Sequence, residues 1–255
     1  MSPAAAPRAL PHAFLMSDLH LDAGRPDLTA IFLRFLRRAG GRVEALFLLG
    51  DIFEAWIGDD DDAPWLDAVV DGLCRASDAG VRIHFQHGNR DFLLGGDFAA
   101  RTGMTLLPET LALELGGVPT ALCHGDALCT GDVGYQAFRR RSRAPDWQAQ
   151  VLATPLEARR GLARQLRQDS IEGQRRILDQ GGELADVNET AVQACLRDCG
   201  AVRLIHGHTH RPATHRVALG PSAAGERIVL ADWRSAGEAL EVRPDGSYLR
   251  HVLTA

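Results

Sequence analysis

The stretch Ala45-Leu46-Phe47-Leu48-Leu49-Gly50-Asp51 runs five apolar residues into a glycine and then a carboxylate. An apolar run of that length, closed by a turn residue, has the pattern of a strand buried on both faces. The same ending recurs four times. Ala13–Met16 runs into Ser17-Asp18-Leu19-His20, and 81–85 into His87-Gly88-Asn89-Arg90-Asp91. Residues 121–123 run into His124-Gly125-Asp126, and 202–205 into His206-Gly207-His208-Thr209-His210. Between these runs lie helical patterns at 28–39, with Ile31, Phe32, Phe35 and Leu36 on one face, at 64–79 and at 97–102. The alternation predicts a layered α/β fold. Ligands of such sheets collect beyond the carboxyl ends of the strands, so the five motifs are placed to converge on one site.

Each motif offers a residue able to bind a metal. Asp18 and His20 stand two apart and point the same way in extended chain, as do His208 and His210. Carboxylate, imidazole and amide without thiolate suit Mn²⁺, Mg²⁺, Fe²⁺ or Zn²⁺ in an open site better than a structural zinc or copper site. An isolated Asp-x-His or Gly-Asp is an ordinary turn, and the signal lies in all five together.

A chain of 255 residues, 45% hydrophobic and 24% charged, is an ordinary globular protein, read here as one domain spanning 1–255 with an insertion. A net charge of −5 argues against indiscriminate coating of nucleic acid. No apolar run approaches the roughly 18 residues of a membrane-spanning helix. Residues 1–12 lack a signal-peptide pattern, so the expected location is cytoplasmic. Cys74, Cys123, Cys129, Cys195 and Cys199 contain no Cys-x-x-Cys pair and read as buried or incidental thiols.

Residues 133–198 break the alternation with a polar, largely helical segment. From Arg139 to Arg176 it holds ten arginines against four carboxylates, and the chain contains no lysine. Thr154-Pro155-Leu156-Glu157 reads as a helix start with Thr154 as N-cap and Pro155 first in the helix. Beyond it Leu156, Leu162, Ala163 and Leu166 share one stripe, and Arg160, Arg164 and Arg167 another. The segment can be a solvated basic face, a nucleic-acid grip or a cap over the metal site. Net charge and scarce aromatics disfavour the second, and the cap is the expectation carried forward. After Pro212, turns at Gly220-Pro221 and Pro244-Asp245-Gly246 predict antiparallel hairpins.

The order Asp-x-His, Gly-Asp, Gly-Asn, His-Gly-Asp, Gly-His-x-His resembles the calcineurin-like metallophosphoesterases over most of the chain. Longer blocks are similar to one branch, the UDP-2,3-diacylglucosamine pyrophosphohydrolases of lipid A synthesis. They include Gly50-Asp51-Ile52-Phe53-Glu54-Ala55-Trp56-Ile57-Gly58-Asp59-Asp60, then His87-Gly88-Asn89-Arg90-Asp91-Phe92-Leu93-Leu94-Gly95, and Gly134-Tyr135-Gln136-Ala137-Phe138-Arg139. The resemblance implies a layered β-sandwich flanked by helices, with 133–198 as a helical cap. It implies two divalent cations, Mn²⁺ by expectation: one on Asp18, His20, Asp51 and His210, the other on Asp51, Asn89, His124 and His208. Asp51 then bridges them. Such a pair, about 3.5–4 Å apart, acidifies a shared water and clamps a phosphoryl oxygen.

The implied reaction is hydrolysis of UDP-2,3-diacylglucosamine to UMP and 2,3-diacylglucosamine 1-phosphate, with water attacking the α-phosphorus. Asp51, Asn89 and Arg90 form the implied catalytic set. Asn89, Arg90, Asp132, Ser170, Gln174, Arg175, Arg176 and His208 are the implied substrate contacts. Gln174 stands near a family Asn, and Arg175 or Arg176 takes the place of a family Lys. Many relatives carry His where Arg90 stands. A departing sugar phosphate needs charge neutralisation more than a proton, which a permanent guanidinium supplies. The implied partners are the lipid substrate and an anionic membrane surface, the enzyme lying peripherally on the cytoplasmic face of the inner membrane. Neither nucleic acid nor an obligate protein partner is expected. The alternatives are a phosphoesterase for soluble nucleotides, phosphoproteins or nucleic acid, and a scaffold without metals.

Neighbouring polar residues carry plainer expectations. His87 and His206 read as structural, and Glu54, Asp91 and Asp126 as carboxylates that orient ligands. Asp59 to Asp62 read as a solvated loop, and His12, His84, His215 and His251 as surface or strand histidines.

Overall fold

The computed structural model describes residues 9–181 and 185–254; residues 182–184 of the insertion lie outside them. In chain order the elements are β1 (Ala9–Leu10), β2 (Ala13–Met16), α1 (Pro26–Ala39), β3 (Ala45–Leu49), α2 (Trp65–Asp78), β4 (Arg82–Gln86), α3 (Gly96–Thr102), β5 (Thr105–Leu106), β6 (Thr110–Leu115) and β7 (Val118–Cys123). Then come α4 (Val133–Ser142), α5 (Pro145–Leu152), α6 (Leu156–Asp179), α7 (Glu189–Asp198), β8 (Arg203–His206), β9 (Ala213–Ala218), β10 (Ala224–Val229), β11 (Gly237–Val242) and β12 (Tyr248–Leu253).

The strands form two sheets, ordered β1-β6-β7-β8-β10-β9 and β12-β11-β2-β3-β4-β5. β2, β3 and β4 run parallel, as do β7 and β8, so all five motif-bearing strands are in parallel pairs. Successive side chains of a strand face opposite ways. In β3, Ala45, Phe47 and Leu49 enter the core between the sheets with Leu15, Leu122 and Ile205. Leu46 and Leu48 enter the core under the helices with Ile31, Phe32, Val69 and Phe98. A third cluster packs Val192 and Leu196 of α7 on Ala121 and Leu204 of the other sheet. The layers are therefore α1–α3, sheet, sheet, α7.

The expected helices form with boundaries shifted by a residue or two. α1 buries Leu28, Ile31, Phe32, Phe35, Leu36 and Ala39, a stripe of spacing three and four, and has Pro26 in its first turn, where a missing N–H costs nothing. β6 was not anticipated, although Leu111, Leu113 and Leu115 alternate inward and Gly116-Gly117 turns the chain into β7. The expected hairpins after Pro212 form as β9 with β10 and β11 with β12.

Within 133–198 the described secondary structure is α4 to α7. Two expectations there need correction. Thr154 does not cap α6: its hydroxyl donates to the Val151 carbonyl at 2.7 Å, closing α5, and Pro155 takes the N-cap position. Nor does α6 divide cleanly into an apolar and a basic stripe. Its one fully buried side chain is Arg159, Leu156, Leu162, Ala163 and Leu166 are half-buried, and Ile171, Ile177 and Leu178 are exposed. No helix among the described residues is long and apolar enough to cross a membrane.

Candidate metal centre

β2 and β3 pair with Leu15 opposite Phe47 and Met16 opposite Leu48, so Asp18 and Asp51 leave the sheet at nearly the same level. Backbone bonds continue past the strand ends, Asp18 N–H to the Gly50 carbonyl and His20 N–H to that of Asp51, both at 3.0 Å. The other sheet closes from across the core. Gly207 N–H donates to the His124 carbonyl at 2.9 Å, and His208 N–H to Asp18 Oδ2 at 2.8 Å. Two glycines make this approach possible. A Cβ on Gly88 would stand 2.1 Å from Asp51 Oδ1, and one on Gly207 2.1 Å from Ser17 Oγ.

Five non-glycine residues among those described have positive φ: Asp18, His20, Asp51, His208 and His210, at 49° to 65°. All five belong to the set of seven expected ligands. The left-handed region costs a side-chain-bearing residue about 1–2 kcal/mol, least for Asp, Asn and His. Such strain persists only where surrounding structure over-determines it, and it clusters where side chains are held for a purpose.

Two groups of ligand atoms converge, Asp18 with His20 and His210, and Asp18 with Asp51 and His124, all within 4.8 Å inside each group. His20 Nε2 lies 3.4 Å from His210 Nε2, which lies 3.2 Å from Asp18 Oδ1. His124 Nδ1 points at the Leu49 carbonyl at 2.8 Å, fixing the proton there and leaving Nε2 as a lone pair. That Nε2 faces Asn89 Oδ1 at 3.1 Å, and His208 Nδ1 lies 2.8 Å from the same oxygen. Imidazole, carboxylate and amide groups gathered this closely, without thiolate, suit a divalent cation of the kind expected from the donor set. Asp18 is common to both groups, and Asp51 stands in the one containing His124.

Electrostatics agree with a site short of positive charge. Burial works against the Asp18 carboxylate, but the His210 hydrogen bond and the nearby imidazoles hold it well below the ordinary carboxylate range. Burial works against protonated His124, yet Asp51 and Asp18 raise its pKa. His20 is raised against burial by Glu54, whose Oε2 lies 2.9 Å from Nδ1, and by Asp51 and Asp18. His208, by contrast, is lowered to about 4 by burial and by His124.

The three expected orienting carboxylates differ in what they touch. Glu54 meets His20 directly. Asp91 accepts from the backbone N–H groups of Gly88 at 2.7 Å and Ile52 at 2.8 Å, holding two ligand loops rather than a ligand side chain. Asp126 accepts from the Tyr135 hydroxyl at 2.6 Å and Arg139 Nε at 2.8 Å, anchoring α4 beside His124. Asp232, unremarked in the sequence, lies 3.5 Å from His210 Nδ1. His87 Nε2 faces the Leu94 carbonyl at 2.7 Å and His206 Nδ1 the Gly207 carbonyl at 2.8 Å.

Arg90 donates its backbone N–H to Asp51 Oδ1 at 2.8 Å, and its buried Nε has no hydrogen-bond partner among the described residues. Arg167 of α6 approaches the same place, paired to Glu54 at 2.6 Å; burial and the Arg90 guanidinium lower its pKa. Arg167 thus stands near Arg90 and is tied to Glu54, a position that its place in the expected basic stripe does not reveal. The structure gives the remaining expected substrate residues less. Asp132 caps α4, accepting from Tyr135 N–H at 2.9 Å. Ser170 is half-buried on α6, and Gln174, Arg175 and Arg176 follow on exposed turns. Gln174 is seven positions beyond Arg167, about 10 Å along the helix.

The acidic loop is also corrected. Asp59 accepts from Trp56 Nε1 and from the backbone of Gly95 and Phe98 at the start of α3. Asp60 pairs with Arg159, and Asp61 and Asp62 with Arg160. The run is the seat of α6 rather than a free loop.

No protein-family model matches the chain. Solved structures superpose loosely, an archaeal phosphodiesterase at TM-score 0.49 and 11% identity over 95% of this chain and 99% of its own. Curated relatives are much nearer. Proteins named UDP-2,3-diacylglucosamine hydrolase are 49% identical in Chromohalobacter salexigens, over 90% of this chain and 91% of that one, and 47% identical in Cellvibrio japonicus, over 94% and 98%. The Stenotrophomonas maltophilia protein of that name is 47% identical over 91% of this chain and 94% of its own. With nearly half of all residues shared over nine-tenths of both sequences, the chain belongs to the UDP-2,3-diacylglucosamine hydrolase family.

Proposed function

We propose that this chain hydrolyses the diphosphate of UDP-2,3-diacylglucosamine to UMP and 2,3-diacylglucosamine 1-phosphate in lipid A biosynthesis. The observation that carries the reading is the meeting of Asp18, His20, Asp51, His124, His208 and His210 at the strand ends with Arg90 beside them; the names of the relatives support the substrate.

In this reading Asp18, His20, Asp51 and His210 hold one divalent cation, and Asp51, Asn89, His124 and His208 a second, with Asp51 shared and Mn²⁺ the metal. Bound there, the pair supplies an acidified water and neutralises phosphoryl oxygens. Glu54 and Asp232 keep the imidazoles of His20 and His210 aimed inward. Asn89 and Arg90 hold the diphosphate, and Arg90 meets the charge that grows on the departing sugar phosphate. Arg167 adds a second guanidinium on the same side. Asp132, Ser170, Gln174, Arg175, Arg176 and His208 complete the contacts to the substrate.

The insertion 133–198 serves as the cap over this site and, with the rest of 1–255, forms one catalytic unit. Its half-buried leucines take the acyl chains, and exposed Ile171, Ile177 and Leu178 with the exposed arginines of α6, Arg164, Arg175 and Arg176, rest on the anionic cytoplasmic face of the inner membrane. Arg159, Arg160 and Arg167 are spent on carboxylates of the core and do not serve that role. No nucleic acid and no obligate protein partner are invoked. The test is incubation with UDP-2,3-diacylglucosamine, bis-p-nitrophenyl phosphate and single-stranded DNA, each with Mn²⁺ and with chelator. Metal-dependent release of UMP, with far slower turnover of the other two, is expected; preferred cleavage of DNA or a soluble diester overturns the reading.

A further inference from the structure

At the far end of β2 from Asp18, two neighbouring cavities open between α1 and the edge strand β12. One, of about 290 Å³, is lined by His12, Phe14, Phe35, Arg38, Arg42 and Leu253 among others, close to the lower size of small-molecule pockets. The second, of about 190 Å³, shares Phe35, Arg38 and Leu253 and continues along Ile31, Arg34 and Val252. Together they make an elongated trough, apolar along Phe14, Phe35 and Leu253 and polar toward Arg34 and Thr254. Phe14 packs edge-on against Phe35 with ring centres 5.5 Å apart, forming its floor, and Val252 is 73% exposed at its end.

The charge along this trough is one-sided. Arg34 and Arg38 stand one turn apart on α1, a spacing that stacks side chains along a helix face, and Arg42 follows in the turn after the helix, beside the same opening. Arg34 reaches the Thr254 carbonyl at 3.4 Å, while the side chains of Arg38 and Arg42 bond no described residue. The one carboxylate in the lining, Glu241, is already answered: His12 Nε2 lies 3.0 Å from one oxygen, His251 Nε2 2.8 Å from the other, and Arg243 joins at 3.3 Å. Two guanidiniums are left without a counter-charge at the mouth of an apolar trough. None of these residues belongs to the metal centre or the cap.

We propose that the α1/β12 trough is a binding site for a single-chain anionic amphiphile, its chain lying along Phe14, Phe35 and Leu253 and its head group on Arg38 and Arg42. The head is a carboxylate or a phosphate monoester, either of which a guanidinium grips through paired N–H groups. A neutral chain lacks the match to the arginines, and an inorganic anion lacks the match to the floor.

The test uses the full, metal-loaded chain with octyl phosphate and octanoate as probes, 1-octanol and octyltrimethylammonium as controls, calorimetry, and methyl resonances of Leu253 and of Val43, which also lines the larger cavity. Both anionic probes should bind saturably and shift those methyls; the two controls should bind at least tenfold more weakly. Arg38→Gln with Arg42→Gln should weaken the anionic probes on the order of tenfold or more, the loss expected for charge-assisted bonds, while octanol affinity and hydrolysis of bis-p-nitrophenyl phosphate stay unchanged. Methyl shifts absent with octyl phosphate, octanol binding as tightly as the anions, or undiminished binding by the double variant would each overturn the proposal.

Discussion

Arg159 of α6 and Asp60 of the loop before α2 form a two-pronged ion pair, Nη1 to Oδ1 at 2.6 Å and Nη2 to Oδ2 at 2.5 Å. The guanidinium, 4% exposed, also donates to the carbonyls of Ile57 and Thr154. Through it α6 is fixed to the segment that follows Asp51 and Glu54. Arg159→Ala is expected to cost about 2 kcal/mol, because buried carbonyls lose their donors. Asp60→Asn leaves the guanidinium its bonds to the Ile57 and Thr154 carbonyls and an amide oxygen in place of the carboxylate, at a position 62% exposed to solvent, so it should cost below about 1 kcal/mol. Urea unfolding of the two variants checks the order; equal losses would mean that the carbonyl bonds contribute nothing.

Asp51→Asn should remove the carboxylate shared by both proposed metal positions. Metal content should fall and turnover drop by about 2–4 kcal/mol of transition-state stabilisation, the size of a strong electrostatic contributor. Two metals per chain with unchanged kcat would show that Asp18, which stands in both converging groups, is the bridge instead.

Arg90→Ala should lower kcat on the diphosphate substrate with metal content intact, since its side chain lies beside the ligands without being one. Its backbone N–H bond to Asp51 survives the substitution. Loss of metal in this variant would contradict the assignment.

His84 gives a pH dependence remote from the metal residues. It is buried against Phe47, ring centres 4.9 Å apart, with both ring nitrogens lacking partners. Burial, with Arg82 adding to it, lowers its pKa to about 4. The folded value lies below the unfolded one, so the unfolded chain takes the proton first as pH falls. The stability carried by neutral His84 is full above about pH 6.5 and is lost down to about pH 4, on the order of 3 kcal/mol in all. His84→Leu should flatten that part of the stability curve measured by urea unfolding. An unchanged slope between wild type and variant would show that His84 titrates alike in the folded and unfolded states.

The convergence of Asp18, His20, Asp51, His124, His208 and His210 is legible because each follows closely on a strand: Leu49 ends β3 and Gly50-Asp51 comes next. The helices were legible from spacing, α1 most clearly. What the sequence hid depends on distance along the chain. Asp59 to Asp62 look like a solvated acidic run until Arg159 and Arg160, a hundred positions on, fold onto them. Arg167 looks like one arginine of many until α6 sets it against Glu54 and Arg90. His84 looks like an alternating strand residue because β4 gives no sign that both sheet faces are covered. The left-handed backbone at Asp18, His20, Asp51, His208 and His210 is likewise invisible in residue type, although Asp and His tolerate it best after Gly and Asn. Thr154 shows the reverse failure, a local signal that fits a cap and is used one residue earlier to end α5.

The most direct measurement is hydrolysis of UDP-2,3-diacylglucosamine in H₂¹⁸O by the Mn²⁺-loaded chain, with both products examined by mass spectrometry. Water delivered from the Asp51 side to the α-phosphorus, with Arg90 on the departing sugar phosphate, puts one ¹⁸O in UMP and none in 2,3-diacylglucosamine 1-phosphate, and chelation abolishes both products. Label in the sugar phosphate, or hydrolysis that persists without metal, would contradict the assignment of the centre.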